Sequence, residues 1–184
     1  MMDIVVCVLR EIERQAEPRH LPIIGVKKSR VLAGLVEEVK PIRALEVGAC
    51  IGYSAIIIAC HMNPGARLTT IEIDPDLARE TEENLSKAGL AERVEVLNGN
   101  ALNLIPTVEG PIDLAFMDAE KQEYGRYLQL IEPLLHTGSV VVADNAGSFA
   151  RAMRGYLDHV RGSGMYESRY ISVGWDGLEV SRRL

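Results

Sequence analysis

Leu45-Glu46-Val47-Gly48-Ala49-Cys50-Ile51-Gly52-Tyr53-Ser54 is the stretch on which the fold reading turns. It closes an apolar strand that starts at Arg43, turns tightly on Gly48 and Gly52, and opens a helical pattern running from Tyr53 to Met62. Outward from this strand-to-helix turn the alternation repeats. Further strands are expected at Arg67–Ile73, Arg93–Leu97, Ile112–Asp118 and Ser139–Asp144, with helices over Pro75–Ala88, Asn100–Pro106 and Gln122–Leu135. Val140-Val141-Val142 is a solid β-branched run, as suits a parallel strand covered on both faces. Pro75 after Asp74 suits a first helical turn, and Gly89 suits a helix end. Such alternation predicts a doubly wound α/β sheet with right-handed crossovers.

The flanks complete the pattern. Ile4, Val8 and Ile12 share helical spacing and read as the apolar stripe of a first helix, which also offers an interface. A second helix, about Lys27–Val39, follows the break at His20–Gly25. After the fifth strand come a helix near Phe149–Gly162 and two strands, Tyr166–Val173 and Gly177–Arg182. The short turn at Gly174–Gly177 makes that last pair antiparallel. The expected fold is a mostly parallel, seven-stranded sheet with a terminal antiparallel hairpin. That ending favours a methyltransferase-type sheet over a dehydrogenase. No repeat or linker divides the chain, so residues 1–184 read as one domain, with helices in 1–40 covering the site.

Composition narrows the class. The 184 residues are 47% hydrophobic, enough to bury a core. The net charge of −6 disfavours a nucleic-acid partner. Cys7, Cys50 and Cys60 form no CxxC pair and are odd in number, which suits a reduced, cytoplasmic setting. The apolar run Ile4–Leu9 is short and meets Arg10, Glu11, Glu13 and Arg14, so neither a signal peptide nor a membrane span is expected.

A dinucleotide turn wants GxGxxG, and Cys50 breaks that fingerprint. Glu46 beside the turn repels phosphate and suits a cationic ligand, such as the amino or sulfonium end of S-adenosyl-L-methionine; otherwise the glycines serve backbone geometry alone. Glu72, at the end of the second strand, is placed to accept both hydroxyls of a ribose, while Asp74 caps the next helix. Asn100 and Ala101 follow the third strand, where an adenine would lie. Asn100 reads equally well as a helix cap.

Asp118 and Asp144 fall at the carboxyl ends of neighbouring strands, with Asn145 beside the second. Two carboxylates and an amide oxygen, without His or Cys, suit Mg²⁺, Ca²⁺ or Mn²⁺ better than zinc. Singly, each has a structural alternative: a strand end for Asp118, a turn pair for Asp144-Asn145, a solvated side chain for Lys121. His20, His61, His136 and His159 are scattered and are not read as ligands.

The combination Glu46-x-Gly48-x-x-x-Gly52-Tyr53-Ser54, Glu72, Asp118, Lys121 and Asp144-Asn145 resembles the cation-dependent O-methyltransferases of the catechol and caffeoyl-CoA type, from about Pro22 to the end of the chain. The resemblance implies that Glu46 holds the methionine part of S-adenosylmethionine, Ser54 its carboxylate and Glu72 its ribose. Ile24-Gly25-Val26-Lys27-Lys28 resembles the segment that lies over that cofactor. It also implies Asp118, Asp144 and Asn145 as metal ligands and Lys121 as general base; Asp118 thereby serves catalysis, metal and cofactor alike. Family members are often dimers, so a homodimer is expected. Cys50 departs from the tyrosine common in the catechol branch, and the acidic residue that positions a catechol there has no counterpart. Trp175-Asp176-Gly177 resembles the family's late Asp-Gly turn. The implied reaction is methylation of a hydroxyl on a small phenolic acceptor. Weighed beside it are a modified uridine hydroxyl of tRNA as acceptor, and a non-catalytic protein that senses S-adenosylmethionine.

Overall fold

A computed structural model describes residues 2–184; Met1 lies outside the described residues. The strands are β1 (Arg43–Val47), β2 (Arg67–Glu72), β3 (Val94–Asn98), β4 (Ile112–Met117), β5 (Leu135–Ala143), β6 (Tyr166–Val173) and β7 (Asp176–Arg183). They form one seven-stranded sheet in the order β3-β2-β1-β4-β5-β7-β6. Pairing is parallel from β3 through β5, and β7 runs antiparallel to both β5 and β6. The expected fold class, hairpin included, is what the chain adopts.

Strand order reverses between β1 and β4. Val47 pairs with Ile71 on one side and Met117 on the other, and Met117 pairs with Ala143. The carboxyl ends of β2, β1, β4 and β5 therefore open at one level, where doubly wound sheets bind ligands.

The helices are α1 (Met2–Arg19), α2 (Gly25–Val39), α3 (Tyr53–His61), α4 (Pro75–Lys87), α5 (Ala101–Leu104), α6 (Tyr124–Ile131) and α7 (Arg154–Gly162). The period-two geometry of the strands divides the core between two faces. From β4 and β5, Leu114, Phe116, Val140 and Val142 join Leu32, Ile56 and Ile58 on one side. Ala115, Met117, Val141 and Ala143 point the other way, against Tyr124, Ile131, Tyr156 and Val160.

Several bounds differ from the sequence reading by a few residues, and three departures bear on the packing or the site. The stripe that buries α1 is Val5, Val8, Ile12 and Ala16, whereas Ile4 is exposed; the stripe drifts along the helix and leaves Ile4 at its edge. β5 begins at Leu135 rather than Ser139, because a 3₁₀ turn at Glu132–Leu134, with Pro133 in it, ends the preceding helix early; His136 thus lies in a strand. α7 begins at Arg154 rather than Phe149. Asn145 adopts φ +62°, and the Gly147 and Ser148 amides donate to Asp176, so the chain turns before it can coil into α7.

Candidate active site

A cavity of about 860 Å³ opens at the aligned strand ends. Pro22 to Lys28, the approach to and first turn of α2, forms part of its wall.

The loop after β1 is built first. Gly48 has φ +99°, and a Cβ there would meet the Asp118 carbonyl oxygen at 2.2 Å. The missing side chain thus makes room for the neighbouring backbone, so the geometric reason for this glycine is present whatever binds. At Gly52, φ +86°, an added Cβ would meet the Thr81 side chain at 3.1 Å, a milder crowding. The Cys50 amide donates to Glu72 Oε2 at 2.7 Å and the Asp74 amide to Oε1 at 3.0 Å. Glu72 is thereby pinned beside the cavity, with lone pairs left for hydroxyl donors. Burial pushes the Cys50 thiol up to about 11, which keeps it a neutral wall residue.

Glu46 is fully buried one position before cavity-lining Val47. The Thr70 hydroxyl donates to its Oε2, while Oε1 has no partner among the described residues. Burial pushes this carboxyl up to about 7, opposed by the Ser54 and Thr70 hydroxyls and reinforced by the charges of Asp118 and Glu72. A buried carboxylate oxygen without a donor is costly, and a ligand amino group would satisfy it. Ser54, Ile24 and Ala101 line the cavity. So does Asn100, whose Oδ1 caps α5 by accepting from the Leu102 amide at 2.8 Å. The cap reading of Asn100 therefore holds, and its amide nitrogen is what remains for a ligand.

The other end of the cavity carries charge. The Asp118 amide bonds Val47 and the Asp144 amide bonds Met117, which fixes both residues directly after paired strand ends. Lys121 Nζ lies 2.7 Å from Asp118 Oδ1, and Lys28 Nζ lies 2.5 Å from Asp144 Oδ1. Burial pushes the Asp144 carboxyl up to about 6, and the charge of Asp118 adds to this against the pull of Lys28. Asn145 donates through Nδ2 to Asp176 at 2.7 Å.

Two participants escaped the sequence reading. Asp176 was seen only as part of a turn, yet it is 2% exposed and also accepts from Lys28 at 2.7 Å. These donors hold its carboxyl well below the usual carboxylate range, against the opposing effect of burial. Lys28 stood in the covering segment with no role of its own; burial opposes its charge, but Asp144 and Asp176 hold its ammonium above the ordinary value. Lys28 and Asp176 are 148 positions apart, so no local pattern joins them. Trp175, 85% exposed, and Phe149 stand on the cavity wall, as do Tyr127, Glu120 and Glu123.

Of the residues singled out, Glu46 and Gly52 are not part of the cavity lining; Ile24, Gly48, Ser54, Glu72, Asn100, Ala101, Asp118, Lys121, Asp144 and Asn145 are. Among the described residues no group of three His, Cys, Asp or Glu is arranged to hold a metal. The donors present are two carboxylates and one amide, each carboxylate paired with an ammonium. Their oxygen chemistry fits a hard divalent cation, and the paired ammoniums show that the fold gathers positive charge there.

The chain is similar to known proteins in both sequence and fold. A family model described as O-methyltransferase matches residues 4–154. Catechol O-methyltransferase of Mus musculus is 36% identical over 164 residues, covering 85% of this chain and 61% of that protein. Catechol O-methyltransferase of Mycobacterium tuberculosis (strain ATCC 25618 / H37Rv) is 38% identical over 133 residues, 71% of this chain and 60% of that one. The chain thus spans about three fifths of the length of these two relatives. Among solved structures, the O-methyltransferase TomG from Streptomyces achromogenes, in complex with SAM, superposes with a TM-score of 0.87 at 27% identity, over 96% of this chain and 89% of that one.

Proposed function

The chain belongs to the O-methyltransferase family, and from that premise we propose that it transfers the methyl group of S-adenosylmethionine to a hydroxyl of a small, catechol-like phenolic acceptor. A divalent cation, Mg²⁺ first among candidates, would be held by Asp118, Asp144 and Asn145. The observation that carries the reading is the meeting of Asp118 and Asp144 on adjacent strand ends, in the same cavity as Glu72 and Ser54.

Bound there, the cation would lower the pKa of an acceptor hydroxyl and direct its oxygen. The chain's own groups divide the remaining work. Ser54 takes the carboxylate of the cofactor and Glu72 its ribose, while Glu46, buried behind the cavity wall, helps to hold the methionine part. Asp118 and its partner Lys121 stand at the reacting end. The acceptor oxygen bonds the methyl carbon, the carbon–sulfur electron pair stays on sulfur, and the acceptor proton passes to Lys121 Nζ, which has first released its own ammonium proton to solvent. Alignment of oxygen, carbon and sulfur supplies much of the acceleration through proximity. Trp175 and Phe149 give a flat, apolar rim that suits an aromatic acceptor.

Residues 1–184 act on this reading as one unit, with 1–40 covering the site. Among the described residues no helix is long and apolar enough to cross a membrane. Free Cys7, Cys50 and Cys60 suit a cytoplasmic setting, and the homodimer is carried over from the family resemblance. A tRNA acceptor would want a basic groove at Lys121, and Glu120 and Glu123 on that wall argue against it. A sensor of S-adenosylmethionine has no use for Lys121 or the strand-end carboxylates.

The test is a panel of hydroxylated acceptors with labelled S-adenosylmethionine, with and without Mg²⁺. Methyl transfer to a catechol, abolished by EDTA, is the expected result. Activity indifferent to chelation removes the cation from the account. Cofactor binding with no transfer to any acceptor removes the enzyme.

A further inference from the structure

Lys28 holds two buried carboxylates at once. Its Nζ lies 2.5 Å from Asp144 and 2.7 Å from Asp176, with side-chain exposures of 12%, 3% and 2%. The two bonds are unequal in what surrounds them. Asp176 has three further donors: Asn145 Nδ2 at 2.7 Å and the amides of Gly147 at 3.1 Å and Ser148 at 2.8 Å. Asp144 has, besides Lys28, the Asn145 amide at 2.7 Å.

Charge counting gives this arrangement a consequence. Asp118, Asp144 and Asp176 set three negative charges against the two ammoniums of Lys121 and Lys28. A divalent ion added between Asp118 and Asp144 would leave an excess positive charge in a poorly solvated site and would compete with the ammoniums for the same oxygens, unless an ammonium withdraws. The Lys28 stem is flexible, and Asp176 already offers its head group a second partner. We infer that Lys28 is the resident counter-ion of the cation site, neutralising Asp144 while no divalent ion is bound and yielding it, with its bond to Asp176 kept, when one binds. Asp176 is then a positioning residue that retains Lys28, and with it the first turn of α2, while orienting the Asn145 amide. The inference rests on the cation reading proposed above.

Lys28→Met in the full chain tests it without any activity measurement. Mn²⁺ binding, followed by the electron paramagnetic resonance signal of the free ion, should tighten on the order of ten-fold because a competing charge is gone. The variant should melt lower than wild type in EDTA and gain more in Tm from Mn²⁺. Lys28→Arg, which keeps the charge, should stay near wild type in both measurements. Should Lys28→Met not fold, Lys28→Gln carries the same comparison. Unchanged or weaker Mn²⁺ affinity in the neutral variant, with wild type still binding, overturns the counter-ion role and leaves the cation reading standing. Absence of Mn²⁺ binding in folded wild type and variant removes both.

Discussion

Glu46 shows what the site demands of single residues. With the carboxyl fully buried and pushed up from 4.5 to about 7, the folded protein holds a proton that the unfolded chain releases near 4.5. The sign follows from linkage: the stability contribution is present below about pH 4.5 and is lost as pH rises through about 7. A shift of this size is worth on the order of 3 kcal/mol. Glu46→Gln should therefore lose less stability than wild type between about pH 5 and about pH 8, as read from urea unfolding at each. Equal slopes would mean that the carboxyl is ionised at little cost. Glu46 was legible in the sequence because it interrupts an apolar strand beside a glycine turn. Asp176 was not, because its role depends on donors from Lys28, Asn145, Gly147 and Ser148, which only the folded chain brings together.

The β1–α3 turn is the element on which the cavity depends. A Cβ at Gly48 would press on the Asp118 backbone and would also demand an unfavourable φ of +99°. Gly65 offers a control, since its φ of +88° carries the same backbone penalty with nothing within 4 Å of the added carbon. Gly65→Ala should cost about 1 kcal/mol. Gly48→Ala should cost about 2–4 kcal/mol and weaken cofactor binding, because it shifts the residue beside Lys121 and Asp144. Thermal melting and cofactor titration compare the two; equal losses would show that the Asp118 contact relaxes freely. Strand and helix identities were readable here because each is carried by local periodicity and turn chemistry. The late start of α7 was not, since a carboxylate from β7 holds residues 147 and 148 in a turn.

Across the whole molecule, the cavity draws its wall from the approach to α2, the ends of β1, β2, β4 and β5, and the β6–β7 turn. A ligand that bridges these parts binds the folded state alone. S-adenosylhomocysteine at about a hundred times its Kd should stabilise the protein by about 2.7 kcal/mol, several degrees in Tm for a chain of this length. Absence of any shift at saturating concentration would argue that the cavity does not take this nucleoside.

The sequence alone determined the alternation of strands and helices, the sheet with its terminal hairpin, and the candidate carboxylates at the strand ends. These are written in burial periods and glycine positions within a few residues of one another. Tertiary structure decided which charges meet. Lys28 reaches Asp144 and Asp176 only because β7 lies beside β5 and the start of α2 comes to the same sheet end. The physical reason is range: periodicity records what each residue faces, whereas the pairing of distant charges depends on strand order and register.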